Sequence, residues 1–162
     1  MGNNTKISKD LANRKLCVTR EFNAPVEKVW KAWTDSSLLD KWWAPKPWKA
    51  ETKIMDMRVG GLWIYSMVGP NGDRSWSRAE FKTVSPEQGF AYSCAFCDED
   101  GNIDDSFPKM DWLIEFKTTA AGTKVEVELT FDKEADMEKL IAMGFEGGFT
   151  MGLNNLEELL AA

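Results

Sequence analysis

The chain contains no histidine. Histidine is the commonest general base and the commonest metal ligand, so its absence removes Ser-His and Cys-His nucleophile arrangements and most zinc sites. No apolar run approaches the roughly 18 residues that a membrane-spanning helix requires. Basic charge is also short: 20 Lys and Arg face 26 Asp and Glu, for a net charge of −6. Phosphate backbones and anionic lipid surfaces attract a basic face, so neither nucleic acid nor membrane is an expected partner. The polar start, residues 1–13, lacks the apolar core of a signal peptide. It also carries Lys6 where an N-myristoylation pattern beginning at Gly2 wants Ser or Thr. A disordered tail over residues 1–13 and a cytoplasmic location are expected. What the chain has in excess is aromatic: eight tryptophans and nine phenylalanines in 162 residues. That suits a thick core or an apolar pocket. The remaining length, residues 14–162, is that of one domain.

Hydrophobic periodicity assigns the elements. Leu16, Val18, Arg20 and Phe22 alternate with polar neighbours and predict a strand. Pro25 and Glu27 mark a helix start, with Val26, Val29, Trp30 and Trp33 on its buried face. Thr34 to Ser37 ends that helix and caps a second short one bearing Leu38, Leu39, Trp42 and Trp43, which Pro45 and Pro47 close. Strands then dominate. Trp48 to Met57 is a weak candidate. Trp63, Tyr65 and Met67 share one face, and Gly69 to Gly72 is a hairpin turn. Ala79, Phe81 and Thr83 share a face of the next strand, Phe90, Tyr92, Cys94 and Phe96 of the one after. Met110 to Phe116 and Val125 to Phe131 alternate likewise.

From Asp136 to Leu160 the period changes to three and four, which predicts one long amphipathic helix. Gly144, Gly147, Gly148 and Gly152 interrupt it, each at a cost of about 1 kcal/mol relative to alanine. Three explanations stay open: another backbone approaches closely, space is left beside Phe145 and Phe149, or the helix bends there. The expected fold class is α+β, with one curved antiparallel sheet of about six to seven strands wrapped around the long helix.

Three stretches carry a family likeness: Arg20 to Pro25, Val29 to Asp35, and Leu39 to Pro45. Gly60-Gly61-Leu62-Trp63, Met67 to Gly72 and Val84 to Phe90 continue it, as does the ending from Gly148 to Leu160. Over residues 14–160 the sequence resembles the SRPBCC (START-like) superfamily, and within it the branch called activator of heat-shock-protein-90 ATPase homologue-like. The resemblance implies the helix-grip fold, in which sheet and long helix enclose an apolar cavity. It implies little about function, because one fold serves many activities.

Candidate chemistry is sparse. Cys94-Ala95-Phe96-Cys97 has the spacing of a redox pair, but on a strand residues three apart face opposite ways, which favours a structural role. Asp98, Asp100, Asn102 and Asp104 imitate the start of a calcium loop, yet Ile103 and Lys109 occupy its glycine and glutamate positions. A solvated acidic turn is expected there, and no metal or cofactor. Arg20 lies on an inward register and requires a partner, with Glu80 and Asp56 as candidates.

The expected function is the binding of a small hydrophobic molecule, lipid-like or aromatic, between sheet and long helix. The wall would comprise Trp33, Trp43, Trp63, Phe81, Phe96, Trp112, Phe145, Gly148 and Phe149, with Arg20, Tyr65 and Tyr92 orienting the ligand. Two alternatives stay open: a stress-response co-chaperone activating a chaperone ATPase, and a cyclase- or hydrolase-type enzyme. No catalytic residue can be singled out, and the chain is expected as a monomer or homodimer.

Overall fold

Alternation of apolar and polar residues generates the sheet, because side chains two apart share a face. In the computed structural model, which describes residues 5–161, eight strands form a single sheet. They are β1 (Lys6–Asp10), β2 (Lys15–Phe22), β3 (Lys49–Met55), β4 (Leu62–Val68), β5 (Arg74–Ser85), β6 (Gly89–Cys97), β7 (Lys109–Thr118) and β8 (Thr123–Thr130). Their order is β1-β2-β8-β7-β6-β5-β4-β3, and every neighbouring pair is antiparallel. The inward residues of β2, β7 and β8 are buried in strict alternation, from Leu16 to Phe22, Met110 to Phe116 and Val125 to Leu129. Helices α1 (Val26–Thr34), α2 (Ser36–Trp42), α3 (Glu134–Ala142) and α4 (Phe145–Ala161) complete the chain.

The α+β, helix-grip expectation holds, and two details differ. First, the expected tail contains β1, which raises the strand count to eight. Ile7 pairs with Val18 across a turn in which the Asp10 carboxylate accepts the backbone N–H of Asn13. Almost every residue of this edge strand is exposed, so no alternation betrays it in the sequence. The first four residues of that expected tail lie outside the described residues. Second, the single long helix is two. Gly144 adopts φ 89°, a left-handed conformation open to glycine, and ends α3 before α4 begins.

The short helices are positioned by α4. Asp35 caps α2, its carboxylate accepting the Ser37 backbone N–H at 2.9 Å, and these Ser37 contacts lower its pKa. At the other end of α2, the Asn155 side chain donates to the Ala44 carbonyl at 3.1 Å. Gly152 admits this approach: a Cβ there would meet the carbonyl oxygens of Trp43 and Trp42 at 3.2 and 3.3 Å. Of the three explanations for the glycines, a close backbone holds at Gly152 and a break at Gly144. Among the described residues, no helix is long and apolar enough to cross a membrane.

Candidate functional site

Where α3 gives way to α4, the layer over the sheet loses side chains. Nothing lies within 4 Å of a Cβ built on Gly144, and Gly148 would meet only Pro45 Cγ at 3.8 Å. The space left is a pocket of about 250 Å³. Its floor is the inner face of β4 to β7: Tyr65 and Met67, Ser75 and Ser77, Cys94 and Phe96, Met110 and Trp112. Its roof is Trp43 and Pro45 from the end of α2, Leu140 and Met143 from the end of α3, and Phe145 and Phe149 from α4. No lining residue carries a charge.

Ring contacts fix the wall. Phe145 and Phe149, one helical turn apart, stack with centroids 5.2 Å apart. Phe149 meets Trp112 edge-on at 5.5 Å and Trp43 at 5.9 Å. Trp43 lies 5.7 Å from Trp112. These spacings are those preferred by aromatic pairs.

The polar groups of the pocket are neutral. Burial pushes the Tyr65 phenol well above its ordinary value, opposed by the nearby Trp43 and Ser77 side chains. Burial pushes the Cys94 thiol up to about 12, with Cys97 contributing. Cys97 itself is raised, mainly by burial, and both thiols are free. Neither has the lowered pKa of a reactive thiolate. Three indole N–H groups, those of Trp33, Trp43 and Trp112, are buried without a hydrogen-bond partner. Others are satisfied: Trp42 donates to the Ala32 carbonyl at 2.8 Å, and Trp63 to the Thr52 hydroxyl at 3.1 Å.

Of the residues expected to hold a ligand, Trp43, Tyr65, Phe96, Trp112, Phe145, Gly148 and Phe149 come together around this pocket. The other five sit elsewhere. Trp33 packs behind Trp43 and Phe149, and Trp63 stacks on the far side of Tyr65 at 4.3 Å. Phe81 and Tyr92 meet each other and Phe90 deeper in the core. Arg20 is at the other end of α4. It donates to Asn154 Oδ1 at 2.6 Å, to Glu157 Oε1 at 2.7 Å and to Thr5 Oγ1 at 3.1 Å.

The expected partners of Arg20 are engaged otherwise, Asp56 with Arg58 at 2.8 Å and Glu80 with Lys82 at 3.2 Å. The reason is geometric. Residues 154 and 157 are three apart on the helix face that covers β2, whereas Glu80 is on β5, toward the other edge of the sheet. Sequence reasoning missed Pro45, Met67, Ser75, Ser77, Cys94, Met110, Leu140 and Met143 as pocket residues. Extending the period-two register of Ala79 and Phe81 backwards would have found both serines.

The remaining motifs form no centre. The Asp98 carboxylate accepts the backbone N–H groups of Asp100 and Asn102 at 2.9 Å, and Asn102 is the main cause of its lowered pKa. Among the described residues, no group of three or more Cys, Asp or Glu side chains is placed to hold a metal ion. A second groove, of about 220 Å³, is lined by Arg78, Glu80, Lys109, Asp111 and Asp132, and there Arg78 donates to the Gly101 carbonyl at 2.9 Å.

The family model described as "Activator of Hsp90 ATPase homolog 1-like protein" matches residues 23–161. The chain belongs to this family. Its fold is that of the family's SRPBCC superfamily, as the opening motifs suggested. Solved structures agree. A protein from Arthrobacter aurescens superposes with TM-score 0.91 at 27% identity, over 96% of this chain and 91% of its own. Protein Ms6760 from Mycobacterium smegmatis gives TM-score 0.89 at 29% identity, over 96% of each chain. A Staphylococcus epidermidis protein gives 0.83 at 30% identity, over 96% of this chain and 93% of its own. Among curated proteins, none matches.

Proposed function

We propose that the chain binds a small hydrophobic molecule in the pocket between β4–β7 and the α3–α4 junction. The observation that carries this reading is an aromatic-lined, uncharged space beside glycines that cost the helix stability. An engineered apolar cavity of about 150 Å³ holds benzene, so 250 Å³ suits a molecule of about two rings.

A second reading is carried by the family's description: a domain that stimulates a chaperone ATPase. It would act through an outer surface and leave the pocket empty. The two separate cleanly by native mass spectrometry of protein purified from its own host, with a thermal-shift panel of fatty acids, sterols and aromatic compounds. A bound mass lost on denaturation, or a saturable shift with an aromatic compound, supports the binding role. A bare mass and a flat panel reject it, and stimulation of chaperone ATPase activity then decides for the second reading.

A further inference from the structure

The glycines at the start of α4 have different causes. Gly144 takes a left-handed φ of 89° and turns the chain. Gly152 stands against the carbonyl oxygens of Trp42 and Trp43. Neither reason applies to Gly148. Its backbone N–H donates to the Gly144 carbonyl at 3.0 Å, as in any helix, and no backbone from elsewhere in the chain lies within 4 Å of a Cβ built on it. That Cβ would meet Pro45 Cγ at 3.8 Å, an ordinary van der Waals distance. Alanine would fit the backbone and strengthen the helix. What sets the position apart is that Gly148 and Pro45 both line the pocket of about 250 Å³, with Phe145 and Phe149 on either side of Gly148 in the helix. A side chain on residue 148 would take up room that the pocket now has.

The geometry points to Gly148 as the specificity-determining residue of the pocket: its missing side chain admits a flat apolar ligand of about two rings, and a bulky side chain there would restrict the pocket to one ring. This rests on the binding role proposed above and adds a size rule to it. At this position stability and binding oppose each other, because whatever fills the pocket from the helix excludes the ligand. The neighbouring Gly147 carries the same helical cost but is exposed and lines no part of the pocket. It therefore separates helix propensity from pocket volume.

The test compares the unaltered full chain with Gly147→Ala, Gly148→Ala and Gly148→Leu, each titrated calorimetrically with naphthalene and benzene and melted without ligand. The unaltered chain should bind naphthalene at least about 10-fold more tightly than benzene, through the extra apolar surface buried. Gly148→Leu should weaken naphthalene at least about 10-fold by overpacking and erase its advantage over benzene. Gly148→Ala should weaken naphthalene less and melt higher than the unaltered chain. Gly147→Ala should also melt higher, with naphthalene binding unchanged. Should Gly148→Leu fail to fold, the contrast between the two alanine variants decides. Three results each overturn the inference and leave the binding role standing: equal binding of the two hydrocarbons by the unaltered chain, naphthalene binding unchanged in folded Gly148→Leu, or equal weakening by Gly147→Ala and Gly148→Ala. Binding of neither hydrocarbon by the unaltered chain overturns both.

Discussion

The core under the sheet is closed by different means at its two ends. At the carboxyl-terminal end of α4, Leu153, Leu156 and Leu160 are buried, Gly152 and Asn155 lock onto the end of α2, and the Arg20 guanidinium is held by Asn154 and Glu157. At the amino-terminal end, glycines replace side chains and the helix breaks at Gly144, leaving the pocket open. The same helix thus carries a sealed half and an open half. Natural cores are packed to high density, and this open half beside helix-destabilising residues is the feature on which the proposed binding role rests.

Substitutions should reveal this asymmetry. The largest effect is expected in the sealed half: Leu156→Ala, at a fully buried position, should cost about 2–5 kcal/mol in denaturant unfolding. A cost below about 1 kcal/mol would mean that this half is no better packed than the other. Next comes Glu157→Gln. It leaves the buried Arg20 without its carboxylate, and the expected loss is about 1–3 kcal/mol, moderated because Glu157 is partly open to water.

A glycine pair sharpens the comparison further. Gly152→Ala must displace the Trp42 and Trp43 carbonyls, and overpacking should outweigh the helical gain by about 1 kcal/mol. Gly147→Ala, with open space around its Cβ, should instead stabilise by about 0.5–1 kcal/mol. Thermal melts with the two shifts in the same direction would sink the distinction.

The smallest effect near neutrality is the pH dependence of the open half. Cys94 and Tyr65 have folded pKa values raised above their ordinary 9.0 and 10.0. The unfolded chain therefore loses these protons first, and stability is full below about pH 9 and declines as pH rises toward 12. Cys94→Ala should flatten the first part of that decline in alkaline denaturation curves. A decline that is the same with and without Cys94 would reject this assignment.

Most of the sheet was legible in the sequence because buried strands alternate, and the inward registers of β2, β7 and β8 follow directly from it. Strand β1 was not, since an exposed edge strand owes its conformation to pairing with β2 and not to its own pattern. The helix break was half legible. Four glycines announced it, but only the backbone shows that Gly144 turns the chain while Gly152 admits a carbonyl.

The pocket residues on β4, β6 and α4 could be read from register. The separation of Arg20 from them could not, because it depends on which end of α4 crosses β2. The orphan indoles were invisible as well: eight tryptophans look alike in sequence, and only the fold distinguishes Trp42, bonded to Ala32, from Trp112, bonded to nothing.

That last contrast supplies the most direct measurement. Uniformly ¹⁵N-labelled protein, titrated with naphthalene as a two-ring probe of the proposed pocket, reports each indole N–H as a separate resonance. The side-chain signals of Trp43 and Trp112, whose rings line the pocket, should move progressively with the probe, while that of Trp42, hydrogen-bonded to Ala32, stays fixed. Equal movement of all three, or no movement at saturating probe, would contradict the binding role.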